Sequence, residues 1–348
     1  MHRQIARPFT RRALVAGAAA GLAAPALAQQ LEAVSLGIVN SVTDVGFMVA
    51  DKRGYFREEG LEVKFIEFDS AARMIAPMAS GELNVGSGGV SAGLYNAVAR
   101  GLGIKIVAGK NQTPPGRSSQ KLLMRKDFLD SGRYRTLADL KGMKIANGAA
   151  GSSATALLVK ILDKGGLSMK DIQEVYMNFT QQIIALENRA VDAALTAEPQ
   201  ATESIRRGAA SILADYEIYP DHQISGVLYS ADFMKNRRDA GVRFLRAFLR
   251  GVRDHEDALV DGKMIGPGAD KIIDILVEYG PIKNGDVYRS FVLAQCPPNG
   301  ENSIASLSED LAIFRRLGII EGDVSVEKAV DGSFVEAALK SIGRYVRK

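Results

Sequence analysis

Val34-Ser35-Leu36-Gly37-Ile38-Val39, a polar turn over residues 40–44, a helical-period run over 47–56 and the alternation Glu62-Val63-Lys64-Phe65-Ile66-Glu67-Phe68 make one strand–helix–strand cycle. Strict alternation of apolar and polar residues marks a half-buried strand, and apolar residues three and four apart mark a helix. Chains that alternate the two build α/β folds. The cycle repeats on the C-terminal side: a helix is expected over 71–79, a strand over 83–86, a helix over 90–99 and a strand over 104–108. Asn111-Gln112-Thr113-Pro114-Pro115-Gly116 then reads as a loop.

Beyond that loop the pattern restarts. Strands are expected over 121–124, 143–146, 174–177, 191–195 and 211–214, with helices over 153–164, 181–188 and 201–207. A second polar break covers 217–223, and one more strand, 224–229, follows. From there only helices are expected. The longest, over 237–260, sets Val242, Leu245, Phe248, Leu249 and Val252 on one face. Arg243, Arg246, Arg250 and Arg253 form a neighbouring face, which reads as solvated or as a docking surface. Two breaks around a self-contained α/β block imply a discontinuous first lobe, 29–113 with 225–348, and a second lobe, 116–222. Two crossings between lobes make a hinge, a known device for closing around a ligand.

The N-terminus reads as an export signal. Residues 1–12 carry Arg3, Arg7, Arg11 and Arg12 and no acid; an apolar run over 13–27 ends in Ala26-Leu27-Ala28, a small-x-small cleavage site. The run is shorter than the roughly 20 apolar residues that span a bilayer. Arg11-Arg12 followed by Ala13-Leu14-Val15 resembles a twin-arginine signal, and an ordinary secretory signal with two adjacent arginines is the alternative. Of 44 Lys and Arg against 40 Asp and Glu, the signal holds four basic residues, so the mature chain is balanced at 40 against 40. That removes the case for nucleic acid as a partner. The 348 residues less the 28 of the signal leave 320, more than one core usually holds. Cys296 is the single cysteine, so no internal disulfide forms; with only His222 and His255 in the mature chain, no metal or other cofactor is expected.

The segment Ala50-Asp51-Lys52-Arg53-Gly54-Tyr55-Phe56-Arg57-Glu58-Glu59-Gly60-Leu61-Glu62-Val63 resembles one found in NMT1/THI5-like and sulfonate/nitrate/taurine-type solute-binding proteins. Gly81-Glu82-Leu83-Asn84-Val85-Gly86 is similar to another of that family's motifs, with Asn84 where Asp is usual. Leu137-Ala138-Asp139-Leu140-Lys141-Gly142-Met143-Lys144-Ile145-Ala146 and Arg189-Ala190-Val191-Asp192-Ala193-Ala194, the latter followed by Glu198-Pro199, complete the set. The resemblance covers about residues 33–260 and weakens toward the C-terminus. It implies a two-lobed type II periplasmic-binding (Venus-flytrap) fold with a helical C-terminal region. It also implies a monomeric periplasmic receptor that captures a small organic solute for an ABC permease and its ATPase. A sensory receptor and a pyrimidine-making enzyme are the alternatives. Against the enzyme, the sequence holds no Ser/His/Asp order, no paired-carboxylate motif and no phosphate loop.

In open α/β sheets ligands sit beyond the carboxyl ends of strands, where loops enter helices. The polar, small-residue segments there supply the candidate binding residues. They are Ser41, Thr43 and Asp44; Ser70 and Ala71; Ser87, Gly88 and Ser91; Gly151, Ser152, Ser153 and Thr155; and Glu198. Ser70, Ser153 and Asp44 are equally readable as helix caps. Amides at helix starts favour a sulfonate or carboxylate, whereas Asp44 and Glu198 favour an amine, so a zwitterion or a pyrimidine-like ring reconciles the two. Arg73 or Arg117 could add a grip on an anion, and with no tryptophan any stacking falls to Phe47, Phe68, Tyr95 or Phe179. N-terminal sequencing of the exported protein should begin at Gln29; a start at Met1 would refute the signal.

Overall fold

The computed structural model describes residues 30–347, so the signal lies outside the described residues. Strand β1 (Glu32–Ile38) pairs in parallel with β2 (Leu61–Glu67), Leu36 opposite Phe65, and with β3 (Val85–Gly89), Leu36 opposite Val85. Val34, Leu36 and Ile38 alternate into the core, as the opening cycle of the sequence requires. Two further strands complete this first sheet: β4 (Lys105–Thr113), and β10 (His222–Tyr229), which returns late in the chain and runs antiparallel between β3 and β4. Its order is β2-β1-β3-β10-β4.

The second sheet repeats the plan. Strands β5 (Gln120–Arg125), β6 (Lys144–Asn147), β7 (Gln173–Tyr176), β8 (Ala193–Ala197) and β9 (Ala210–Ala214) are ordered β7-β6-β8-β5-β9, with β5 antiparallel to its neighbours. β8 is buried along its whole length, as expected of a central strand covered on both faces. The sheets carry helices α1 (Val45–Lys52), α2 (Tyr55–Glu58), α3 (Ile75–Ser80), α4 (Ala92–Ala99), α5 (Lys126–Asp130), α6 (Ser153–Lys164), α7 (Phe179–Glu187) and α8 (Gln200–Arg206). The C-terminal region adds α9 (Ala231–Asn236), α10 (Arg238–Asp257), α11 (Ala269–Tyr279), α12 (Gly285–Arg289), α13 (Ile304–Arg316), α14 (Val326–Ala329) and α15 (Ser333–Ile342). Among the described residues no helix is long and apolar enough to cross a membrane.

The chain passes between sheets twice, over 114–119 and 215–221. Part of the first expected loop is strand. Asn111, Gln112 and Thr113 belong to β4, because β10 lies alongside and accepts the ladder: Thr113 opposes His222, Gln112 opposes Gln223 and Asn111 opposes Ser225. Polar composition hid the end of a strand, where Asn111 lines a cleft chamber while Gln112 and Thr113 bond to the carbonyls of Glu301 and Tyr219.

Helix α10 packs α1 closely. Phe47 stacks on Phe248 with ring centroids 4.3 Å apart, and a β-carbon on Gly251 would stand 2.1 Å from the Gly46 carbonyl oxygen. The arginine face is half-buried, and its guanidinium groups are already engaged. Arg243 pairs with Glu32 and Asp239, Arg246 with Glu59 and Arg250 with Glu58, while Arg253 donates to the carbonyls of Pro298, Ile342 and Gly343. Composition shows where charges fall on a helix; only the fold shows that the α2 turn and the C-terminal tail come to meet them. Helix α13 packs on α6, α4 and β10 together, with Lys160–Glu309 and Arg316–Asp163 ion pairs holding it to α6.

Gly251→Ala should force α1 and α10 apart and cost about 1–3 kcal/mol. Urea denaturation reads this directly; an unchanged midpoint would mean that the helices do not approach as described.

Candidate functional site

Strands of both sheets end at a cleft between the lobes. Ser70 leads a 3₁₀ turn into α3, Ser91 caps α4, Ser152 caps α6 and Asn178 caps α7. The Ser91, Ser152 and Asn178 side chains accept from the backbone N–H three residues on, which fixes each helix start. Several bonds join the lobes here. The Ala92 N–H donates to the Gly151 carbonyl at 2.8 Å, the Val42 N–H to the Glu198 carbonyl at 3.3 Å, and Asn178 Nδ2 to Asp69 Oδ1 at 3.2 Å. Gly89 faces Ser153 so closely that a β-carbon there would lie 2.7 Å from Ser153 Oγ.

Three chambers share Val39 and Phe179. The first, about 60 Å³, is lined by Ser70, Ala71, Ser91, Ser152 and Ser153. A second, about 50 Å³, is lined by Ser41, Thr43, Gly88, Lys110, Asn111, Gln120 and Ser225. An outer chamber of about 300 Å³ is lined by Asn40, Glu67, Phe68, Asp69, Gln181 and Gln200. Eight of the thirteen expected residues therefore line the two inner chambers: Ser41, Thr43, Ser70, Ala71, Gly88, Ser91, Ser152 and Ser153.

The other five stand behind the walls. Asp44 is wholly buried and accepts from Ser87 Oγ at 2.7 Å and from the Ser41 N–H at 3.1 Å. Thr155 Oγ1 accepts from Asn147 Nδ2, and the Gly151 carbonyl makes the bond to Ala92. Glu198 is also wholly buried: its Oε2 accepts the Thr202 N–H at 3.0 Å at the start of α8, and Lys121 lies 3.3 Å from Oε1, an ion pair without a directed hydrogen bond. Burial pushes this carboxyl above its ordinary range, against the pull of Lys121 and the Thr202 amide.

Among the residues of the second chamber that sequence reading missed are Asn111, Gln120, Ser225 and a charged one, Lys110. It is 1% exposed, donates to Asp44 Oδ1 at 2.6 Å and to Ser87 Oγ at 2.8 Å, and lines the second chamber. Its signal was a lysine followed by polar residues in an otherwise apolar strand. Asp44 cancels its charge, so the pair can present an N–H donor without leaving a buried net charge. Asn111 Oδ1, Gln120 Oε1 and Ser225 Oγ, also of this chamber, are buried with no partner in the protein. Such atoms call for a partner from outside the fold.

The remaining candidates lie elsewhere. Arg117 donates to the Leu293 and Ala294 carbonyls, pinning the C-terminal segment, and Arg73 is exposed outside the chambers. Phe47 and Tyr95 are core residues, leaving Phe68 and Phe179 at the cleft. Folding also brings His255, Glu256 and Cys296 together, with ligand atoms within 4.8 Å of one another, a grouping that spacing did not suggest. Glu256 is already engaged by the Cys296 N–H at 3.0 Å and Arg117 at 3.5 Å.

Two lobes of 2-1-3-n-4 topology, crossed twice and enclosing polar chambers, define a type II periplasmic-binding fold. The chain belongs to the NMT1/THI5-like family, whose model matches residues 42–256, more than half of it. It is 28% identical over 323 residues to a Bacillus subtilis (strain 168) protein named for aliphatic sulfonate binding, covering 90% of each chain. Its fold is similar to that of the periplasmic nitrate-binding protein of Synechocystis PCC 6803, with a TM-score of 0.74, 13% identity and 90% of each chain covered. A desulfurization enzyme has a similar fold too, with a TM-score of 0.59, 14% identity, and 89% of this chain and 99% of that one covered. Fold alone thus does not separate binder from catalyst.

Lys121→Met should leave Glu198 buried without its cation and cost about 3–5 kcal/mol. Lys121→Met/Glu198→Gln should recover most of that loss in urea titrations. A double variant no better than the single would place the cost in packing instead.

Proposed function

We propose that this chain is the periplasmic solute-binding component of an ABC importer, and that its solute is a small organic anion held by a sulfonate or carboxylate head. One observation carries the reading. The starts of four helical segments, two from each lobe, converge on one chamber of about 60 Å³ at Ser70, Ser91, Ser152 and Phe179. Helix starts present N–H groups and a partial positive charge to whatever lies between them. The residues proposed to hold the solute are the eight that line the inner chambers, joined by Lys110, Asn111, Gln120 and Ser225. Asp44, Ser87, Gly151, Thr155 and Glu198 would position them.

Binding requires both lobes, because each supplies half of the chamber. The first lobe, 29–113 with 225–348, and the second, 116–222, would part about the crossings at 114–119 and 215–221. Solute would enter the open form and favour closure to the extent that it prefers the closed contacts. The closed protein is what a permease would read. Export by the N-terminal signal, with a monomeric mature protein, fits this role.

Capture without turnover is the favoured chemistry. Among the described residues the inner chambers contain hydroxyls, amides, a neutralised lysine and the carboxylate of Asp69, with no Ser, Cys or Lys nucleophile hydrogen-bonded to that carboxylate. Cys296 lies outside them, with its thiol pushed up to about 12, chiefly by burial. The named function of the Bacillus subtilis relative, aliphatic sulfonate binding, supports the choice of head group.

A thermal-shift screen of alkanesulfonates, carboxylates, nitrate and pyrimidines tests the reading. A true ligand at 100 times its Kd should add about 2.7 kcal/mol and be recovered unchanged. Stabilisation by pyrimidines alone, or conversion of the ligand, would overturn it.

A further inference from the structure

Outside the cleft, one buried group has hydrogen-bonding capacity that the fold leaves unused. His255, on α10, is wholly buried, and among the described residues neither of its ring nitrogens has a hydrogen-bond partner. Nδ1 lies 3.5 Å from Glu256 Oε1, an ion-pair distance without a directed hydrogen bond. A neutral imidazole carries one donor and one acceptor, so an unused acceptor nitrogen remains in either tautomer. A buried polar atom of this kind calls for a partner that the chain itself does not supply.

A second ligating group comes from far along the chain. Cys296 is buried, and its thiol, Glu256 and His255 each offer one ligand atom within 4.8 Å of the other two. An ion at the middle of such a triangle stands at most about 2.8 Å from each atom, and a small contraction reaches the roughly 2.0–2.3 Å of metal bonds to nitrogen, oxygen or sulfur. The backbone already fixes this frame. Glu256 Oε1 accepts the Cys296 N–H at 3.0 Å. The neighbouring Gln295 is tied to β4 by two bonds: its carbonyl accepts the Gln112 N–H at 2.9 Å, and its N–H donates to the Gln112 carbonyl at 3.0 Å.

Charge decides which ion fits. Against burial, His255, Arg117 and the Cys296 amide hold the Glu256 carboxyl below its ordinary range, so it stands ready as a carboxylate. Arg117, 3.5 Å away, balances it, and the other charges felt by the thiol, Lys110 and Asp44, balance each other. A monovalent cation that replaces the thiol proton leaves this balance unchanged: the S–H bond breaks, the sulfur–metal bond forms, the proton goes to solvent and no oxidation state changes. A divalent cation would add an uncompensated charge to a buried place. Thiolate and imidazole together select a soft ion. We infer that His255, Cys296 and Glu256 form a binding site for Cu(I), with Cys296 Sγ and an imidazole nitrogen as its principal ligands and Glu256 as a third. Arg117, the most exposed of the four side chains, marks the way in from the first crossing.

The experiment titrates the full mature protein with Cu(I) under anaerobic conditions, in competition with the chelator bicinchoninate, and in parallel with Zn(II). The protein should take one Cu(I) per chain from the chelator, gain an ultraviolet thiolate-to-copper absorption and melt at a higher temperature. Cys296→Ser and His255→Gln should each weaken binding by more than the roughly 10–100-fold that loss of a supporting outer residue costs. Copper should no longer raise the melting temperature of Cys296→Ser. X-ray absorption on the unsubstituted protein should show both sulfur and nitrogen bound to copper, a readout that does not depend on any variant folding. Failure to compete with the chelator, full retention of copper by Cys296→Ser, tighter binding of Zn(II) than of Cu(I), or copper without a sulfur neighbour overturns the site. Solute capture is measured separately, so none of these results bears on it.

Discussion

The antiparallel pairing of β10 with β4 is the constraint on which the rest of the molecule depends. It ties a strand that follows the second lobe back into the first sheet, so the chain leaves that sheet through β4 and returns to it through the neighbouring β10. Asn111 and Ser225 face each other in that ladder and both line the second chamber. The strands through which the chain leaves and re-enters the first sheet thus also supply part of the second chamber's wall, so a movement at the crossings would be transmitted to it.

Charge is arranged in the cleft with the same economy. Lys110 and Asp44 cancel one another in full burial, as do Lys121 and Glu198 beneath the loop after β8. Neither pair leaves a net charge that water would have to stabilise, and the inner surface offers hydroxyls, amides and helix starts beside the single carboxylate of Asp69. Among the described residues of the cleft, unpaired charge remains at Glu67 and Asp69, both exposed, with Asp69 lining the first inner chamber as well as the outer one.

Much of this was legible in the residues. The opening cycle located β1, α1 and β2 because one face of each is buried and periodicity reports that directly. Residues 153–164 were read as a helix and are α6 without adjustment. The serine-rich loops stood out as small polar residues following strands, and Ser91 and Ser152 do cap helices there. Lys110 was not found, since a lysine in a strand reads as an edge residue until its partner is known, and Asp44 lies far away in sequence. The α10 arginines failed for the same reason: helical spacing shows that they share a face, whereas Glu32, Glu58 and Glu59 reach that face only through tertiary folding. Periodicity reports burial; it does not report pairing between distant elements.

The bonds that hold the lobes together have a thermodynamic character of their own. Ala92 to Gly151, Val42 to Glu198 and Asn178 to Asp69 are polar contacts whose partners can turn to water when the lobes part. Each such exchange changes the free energy by only about 0.5–1.5 kcal/mol. The ion pairs from α13 to α6 are partly solvated, and pairs of that kind contribute about 1 kcal/mol or less. If the lobes part as proposed, opening would be separated from closing by a small gap, and the unliganded protein would sample both shapes. The affinity seen from solution is the intrinsic affinity of the closed shape scaled by the fraction of time spent in it. On the proposed role, substitutions on α13 or at the crossings would then tune solute binding by moving that fraction alone.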